Sequence, residues 1–128
     1  MNIQSIEAII EKYSPTHLIC DSSYPLIANS TLLEEAMIYN LSKESITLLC
    51  AEFQSLTGKS IDTSSDISIL SGGQKVILMA LLAMQSPAEK VVLLNLDAAL
   101  DKERVNALHL LIEKHKHNKV EVLMVQHK

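Results

Sequence analysis

The chain has 128 residues, a length that suits one modest domain and is too short for two ordinary ones. Hydrophobic residues make up 48% of it and charged residues 20%, a balance that excludes a disordered chain. With a formal net charge of −4 and no sizeable Lys/Arg cluster, we expect no nucleic-acid partner.

The sequence contains no segment that resembles a leader or a membrane span. Residues 1–14 carry Glu7 and Glu11, which a signal peptide would not tolerate. The longest apolar run, residues 76–84, is far shorter than the roughly 20 residues that a spanning helix needs. Cys20 and Cys50 stand in apolar surroundings without metal-ligand spacing. We therefore expect a cytoplasmic protein with no membrane insertion and no metal site.

The first third of the chain is predicted to contain a helix and a strand. Ile3, Ile6, Ile9 and Ile10 recur at helical spacing, which favours an amphipathic helix over the first dozen residues. The Ser-Pro pair at Pro15 ends this helix. A short apolar run at residues 17–20 then has the length of a buried strand.

Two helices are predicted next, each with its own start signal. Thr31, with Glu34 three residues later, forms a capping box for a helix that runs to about residue 41. Ser42 caps a second helix, which ends at Gly58. Residues 59–69, rich in Ser, Thr and Asp, are predicted to form a loop.

The second half alternates helices and strands. A helix that is apolar nearly all round follows Gly73, and an amphipathic helix is predicted over residues 101–117. Apolar runs at residues 91–96 and 120–125 have the length and β-branching of buried strands. The chain is thus predicted to be a single α/β domain over residues 1–128. Its small, three-layer-like parallel sheet has strands near 17–20, 91–96 and 120–125. A helical subdomain is predicted over about residues 30–57. It belongs to a larger subdomain, residues 30–86, that also includes the apolar helix.

One motif stands out at the start of the apolar helix, where Leu70-Ser71-Gly72-Gly73-Gln74 spells LSGGQ. Two adjacent glycines let a backbone approach a phosphate closely, and a helix start offers unpaired N–H groups and a positive dipole end. Ser71 adds a hydroxyl. The sequence therefore predicts an anion-binding helix start, although a Ser-Gly-Gly turn is also an ordinary way to begin a helix.

The motif and its spacing resemble the ABC ATPases over roughly residues 18–128. In that family the signature helix leads to the Walker B strand and a D-loop, which here resembles the segment ending at Asp101. His127 ends the last apolar strand, where the family has its switch histidine. Upstream, Thr31-Leu32-Leu33-Glu34-Glu35 resembles the segment that follows the family's Q-loop. Asp21 is the polar residue nearest to the place of the Q-loop glutamine.

The resemblance implies a nucleotide contact made across a dimer. In the family the signature faces the γ-phosphate of ATP that is held by the opposite subunit. The residues implied here are Ser71, Gly72, Gly73 and Gln74 for that contact, Asp101 in the D-loop and His127 as the switch histidine. The partner would be another ABC ATPase subunit or a second copy of this chain, and ATP with Mg²⁺ would bind only at the shared interface.

The parts that hold and hydrolyse ATP are missing. A P-loop requires Gly-x-x-x-x-Gly-Lys-Ser/Thr between a strand and a helix, and Gly58-Lys59-Ser60 copies only its last three letters. Phe53 stands where the first glycine belongs, so we interpret this segment as a helix end followed by a loop. Without a P-loop strand, the remaining strands must pair directly or accept a strand from elsewhere.

The acid pair of the Walker B strand is also missing. The family needs an Asp for Mg²⁺ and a neighbouring Glu to polarise the attacking water. Alignment on Asp101 puts Leu94 and Asn95 there, and a shift of one residue puts Asn95 and Leu96 there. The nearest carboxylate, Asp97, falls on the D-loop side. We therefore expect no catalytic residues and no ATP hydrolysis by this chain alone.

Three functions remain open at the level of sequence. The chain could supply its signature in trans to a partner ATPase, or regulate that ATPase. It could be a structural module that binds no nucleotide and oligomerises through the apolar helix at residues 76–84. It could also be a fragment of a split ABC ATPase, since it ends one residue after His127.

Overall fold

The structure, a computed structural model, describes residues 3–5, 8, 11–12, 17–28, 30–115 and 118–126. Its centre is a parallel sheet of three strands that a short fourth strand extends at one edge. The strands are β1 (Ile3–Ser5), β2 (Leu18–Asp21), β3 (Val91–Leu94) and β4 (Val120–Gln126). They lie in the order β1-β4-β3-β2, with every neighbouring pair parallel. The α/β class predicted from the sequence is thereby confirmed.

The short strand β1 corrects only the start of the helix predicted for the first dozen residues. Ile3–Ser5 pairs in parallel with Met124–Gln126, on the outer side of β4. For residues 3–5, pairing with a strand edge far along the chain outweighs the local helical spacing. Ala8, Glu11 and Lys12 are helical.

The three predicted strands are confirmed with shifted ends. The central strand, predicted over residues 91–96, ends at Leu94, because Asn95 adopts a left-handed conformation (φ 62°). Val91 pairs with Leu18 on one side and with Val120 on the other. β3 and β4 thus pair directly, which is one of the two arrangements expected when no P-loop strand lies between them.

Five helices with described bounds follow β2: α1 (Leu32–Ile38), α2 (Lys43–Thr57), α3 (Gly72–Gln85), α4 (Leu96–Ala99) and α5 (Lys102–His115). The predicted start signals are confirmed. Thr31 and Glu34 form a capping box at α1, and the Ser42 side chain accepts from the backbone N–H of Ser45 at α2. Gly58 ends α2 with φ 77°, a conformation that glycine adopts without strain.

The segment predicted as a loop, residues 59–69, contains ordered structure near its end. Ile67–Ile69 forms a 3₁₀ turn, and Ile67 is fully buried. Asp66 forms an isolated antiparallel bridge with Thr31, and Ile67 N donates to the carbonyl of Ser30 (2.8 Å). The buried Ile67 side chain and these backbone contacts hold the segment, and neither can be seen in a polar composition.

Helix α3 is the centre of the hydrophobic core. Every residue from 76 to 84 is at most 3% exposed, as a helix that is apolar all round requires. The same core takes in Phe53 from α2, Leu93 from β3 and Leu108 from α5. This burial overturns the idea that residues 76–84 form an oligomerisation surface, since the chain itself covers that helix.

The opposite face of the sheet has a smaller cluster of its own. Val92 and Leu94 are fully buried there, with Ile19 and Leu123 packed against them. The helices α1, α2, α3 and α5 contribute to the larger core on the first face. The third layer anticipated from the sequence stays a prediction.

Candidate functional site

The signature residues lie at the start of α3, where Ser71 is the N-cap. The Ser71 hydroxyl accepts from the Gln74 backbone N–H (3.2 Å), and the Gln74 side-chain carbonyl accepts from the Ser71 N–H (3.0 Å). This reciprocal pair is a capping box. Ser71 and Gly72 are exposed, and Gly73 and Gln74 are half-buried. The four predicted residues are therefore together and open to an approaching molecule.

The glycine pair leaves backbone donors at this helix start. Gly72 and Gly73 are the first two helical residues, so their N–H groups have no acceptor within the helix. No acidic side chain lies in the first turn of α3, so nothing in that turn offsets the positive end of the helix dipole. Ser71 uses its oxygen as an acceptor in the cap and still has a hydroxyl proton to donate.

The segment predicted as the D-loop lies beside the signature. A Cβ atom added to Gly73 would come within 3.7 Å of the Leu100 side chain. A shallow cavity of about 280 Å³ lies between the two segments. Its lining residues are Ser71, Gly73, Gln74, Ala99, Leu100, Asp101 and Arg104. The fold thus brings the signature and Asp101 to one cavity, whereas the contact expected for Asp101 across a dimer interface stays a prediction.

Asp101 has a structural role of its own. Its Oδ1 accepts from the Arg104 backbone N–H (2.8 Å), which makes it the N-cap of α5, and its Oδ2 lies 2.7 Å from the Arg104 guanidinium. The backbone hydrogen bond from Arg104 and that guanidinium hold the pKa of Asp101 below its ordinary value. Sequence reasoning missed Arg104, although an acidic residue three positions before an arginine at a helix start is a recognisable signal.

The end of β3 contains no adjacent pair of acids. Leu94 and Leu96 are fully buried, and Asn95 is buried between them, with its N–H donating to the Leu123 carbonyl (2.8 Å). Asp97 is exposed on α4, and its Oδ1 lies 3.8 Å from His109 Nε2. Neither alignment considered for the sequence therefore places two carboxylates at the strand end.

The other predicted positions that the structure describes do not line this cavity. Gly58, Lys59 and Ser60 are exposed after the end of α2, and Phe53 is buried within that helix. A helix, not a strand, therefore precedes Gly58-Lys59-Ser60, unlike in a P-loop. Asp21 ends β2 in a tight turn, where its Oδ1 accepts from the Ser23 N–H (2.9 Å). His127 lies outside the described residues.

Neither family models nor characterised proteins match this sequence. Within the described part of the chain, no three His, Cys, Asp or Glu side chains gather as metal ligands would. No helix among the described residues is long and apolar enough to cross a membrane.

Proposed function

We propose that this chain is a catalytically incompetent, ABC ATPase-like protein that presents its signature to ATP held on the P-loop of a partner ATPase. The observation that carries the proposal is the cavity where Ser71 and Gly73 lie beside Asp101 at the accessible start of α3. The partner holds ATP and Mg²⁺, and this chain closes over the γ-phosphate.

The chemistry of the helix start suits a phosphate oxygen. Gly72 and Gly73 each offer a backbone N–H, and Ser71 offers its hydroxyl proton. A hydrogen bond to a charged group contributes about 1.5–3 kcal/mol, and a helix end adds about 0.3–1 kcal/mol. These few hydrogen bonds at a helix start are too weak to hold free ATP tightly. They therefore act only on a nucleotide that another subunit has already bound.

The choice of partner follows from the missing P-loop. A second copy of this chain has no P-loop either, so a homodimer would leave ATP without a cradle. We therefore infer a partner that has a complete P-loop and acid pair. ATP then bridges the two proteins, and their association depends on the γ-phosphate.

Association with candidate complete ABC ATPases tests this proposal. We expect this chain to bind one of them at least about tenfold more tightly with ATP and Mg²⁺ than with ADP and Mg²⁺, a difference of about 1.4 kcal/mol. Sedimentation velocity or interferometry measures that ratio. Equal affinity with both nucleotides, for every candidate that binds, contradicts the proposal.

A substitution at Gly73 provides the matched control. A Cβ at Gly73 would meet Leu100 at an ordinary contact distance, and Gly73 lines the cavity, so Gly73→Arg places a long side chain at the signature. It should remove the preference for ATP over ADP. Thr47→Arg adds the same charge at an exposed position on α2 and should leave the preference intact. A preference that survives Gly73→Arg would exclude the signature as the contact.

The capping box favours one alternative, a structural module that binds no nucleotide. Ser71 and Gln74 already satisfy each other, and Asp101 already caps α5, so all three have roles that need no ligand. On this alternative the chain binds its partner equally well with ATP, with ADP or without nucleotide. The ATP-to-ADP ratio measured above separates the two functions.

A further inference from the structure

The signature cavity contains a base, Arg104, that the proposed function leaves without a role. Of the described residues that line this cavity, Arg104 and Asp101 are the two that carry a charge. The Arg104 side chain is 39% exposed and the Asp101 side chain is 55% exposed, so both are open to an approaching molecule. The charge at the cavity wall therefore depends on one acid and one base, three positions apart on the chain.

Asp101 by itself would disfavour a phosphate in this cavity. Its pKa lies below the ordinary value, so the side chain is a carboxylate at neutral pH, and like charges repel. As the N-cap of α5, the carboxylate accepts from the Arg104 backbone N–H through Oδ1 (2.8 Å). Arg104 Nη1 donates to the other oxygen, Oδ2 (2.7 Å), and offsets its charge. The Asp101–Arg104 pair is thus neutral as a whole.

Two helix starts meet at this cavity, and both favour an anion there. α3 begins at Gly72 and α5 begins at Lys102, and each helix has 14 residues. Arg104 lies in the first turn of α5, where the helix dipole disfavours a cation. An exposed ion pair also adds little stability. The stability of α5 therefore gains little from this guanidinium, whereas an anion in the cavity would gain a partner.

The Arg104 guanidinium has donors left over for such an anion. A guanidinium carries five N–H groups in a fixed fork, and the side-chain bond to Asp101 uses one Nη1 group. The fork matches the spacing of two phosphate oxygens. Ser71 and Gly73 border the same cavity from the start of α3. A phosphate in the cavity would thus meet donors from both of the segments that form it.

We propose that Arg104 determines the preference of this cavity for a terminal phosphate, by offsetting the charge of Asp101 and by donating to the phosphate oxygens. The inference rests on the function proposed above, in which that phosphate is the γ-phosphate of ATP held by a partner. ADP lacks this group, so Arg104 acts on the difference between ATP and ADP. A free polyphosphate presents the same chemistry, and the experiments below separate these two sources.

Neutral variants of the pair should change the preference for ATP in opposite directions. Arg104→Gln leaves the Asp101 charge uncompensated and should lower the ATP-to-ADP affinity ratio for the partner about tenfold. Asp101→Asn frees the guanidinium and should raise that ratio about threefold, while asparagine still caps α5. The double variant should lie between the two. Interferometry measures the ratio, and a merely structural fault in α5 would move both single variants the same way.

Two neighbours on α5 provide matched controls. Lys102→Gln removes a cation and Glu103→Gln removes an acid, both at exposed positions that do not line this cavity. Each should change the ATP-to-ADP ratio by less than about twofold, because solvent and salt screen exposed charges outside the contact. Arg104→Lys keeps the charge but loses the fork, so it should lower the ratio less than Arg104→Gln does.

Inorganic tripolyphosphate, added to the isolated full chain, tests the pair without a partner. We expect it to shift the amide resonances of Gly72 and Gly73 with a Kd in the millimolar range, since few groups hold it. Arg104→Gln should raise this Kd about threefold or more, and Asp101→Asn should lower it. Sodium chloride at the same ionic strength is the control and should not reproduce the shifts.

Two results would overturn the inference. One is an ATP-to-ADP ratio that Arg104→Gln and Asp101→Asn leave unchanged or move in the same direction. The other is a chain whose Gly72 and Gly73 amides do not respond to tripolyphosphate. A ratio that only Gly73→Arg abolishes would leave the signature proposal standing without Arg104. Tripolyphosphate binding in the expected order, with equal affinity of every partner in ATP and ADP, would support Arg104 as a phosphate ligand and contradict the proposed function.

Discussion

At the scale of residues, two neighbouring acids on α1 have different roles that the sequence does not separate. Glu34 is exposed, where its carboxylate accepts from the hydroxyls of Ser30 and Thr31 in the capping region. Glu35 is fully buried and accepts from the backbone N–H groups of Ile27 (2.9 Å) and Ala28 (2.6 Å). Glu35 therefore fastens the loop after β2 to α1.

Replacing Glu35 should destabilise the protein more than replacing Glu34. Glu35→Ala leaves two backbone donors without their acceptor, at a cost of about 2–3 kcal/mol in the free energy of unfolding. Glu34→Ala removes an exposed half of a capping box and should cost about 1 kcal/mol or less. Urea denaturation measures both values. Equal losses would contradict the larger stabilising role assigned to the bonds from Ile27 and Ala28.

At the scale of elements, the helix ends follow local chemistry. Ser42, Ser71 and Thr31 begin helices as their side chains predict, and Gly58 ends one in the left-handed region. Gly72 differs from Gly58, because it lies within a helix and no atom would crowd an added Cβ. The backbone conformation at Gly58 therefore favours glycine, whereas neither conformation nor crowding requires glycine at Gly72.

This difference predicts opposite effects of the same substitution. Gly58→Ala puts a Cβ on a residue at φ 77° and should cost about 1 kcal/mol of stability. Gly72→Ala meets no neighbour within 4 Å and should be neutral or stabilising by up to about 1 kcal/mol, because alanine favours a helix. Thermal melting of both variants checks this, and a stability loss at Gly72 as large as that at Gly58 would refute it.

At the scale of the whole molecule, one core joins helices from both halves of the chain to one face of the sheet. A polar pair lies within this core, where the Cys20 thiol from β2 hydrogen-bonds to the hydroxyl of Tyr39, just after α1. Burial raises the pKa of Cys20 to about 11 from 9.0, although the bond to Tyr39 opposes the change. Burial is also the main cause that raises the pKa of Tyr39.

The raised pKa of Cys20 predicts that global stability falls in alkali. Below pH 9 the Cys20 thiol is protonated in both the folded and the unfolded chain, and its contribution to the free energy of unfolding is fully present. Between about pH 9 and 11 the unfolded chain loses a proton that the folded chain keeps, so the free energy of unfolding falls as pH rises. The loss from this group should be about 2 kcal/mol.

Urea denaturation at a series of pH values isolates this effect. Cys20→Ala removes the thiol, so its stability should fall less steeply than that of the unchanged chain above pH 9. Cys50 is less buried than Cys20, and burial raises its pKa as well, so Cys50→Ala should flatten the fall less than Cys20→Ala does. Identical slopes for the unchanged chain and Cys20→Ala would contradict the assignment.

The sequence by itself determined whatever depends on neighbours along the chain. The α/β class, the caps at Thr31, Ser42 and Ser71, and the stop at Gly58 are set by side chains that bond or twist the backbone within a few residues. The all-round apolar pattern after Gly73 likewise required a helix that is covered on every side.

Only the tertiary structure decided what depends on distant partners. Ile3–Ser5 is a strand because β4 offers an edge, and the segment around Ile67 is held by burial of that side chain and by backbone bonds to the start of α1. The same holds at the candidate site. The sequence supplied the signature and Asp101 separately, and only the packing that places Leu100 beside Gly73 brings them to one cavity.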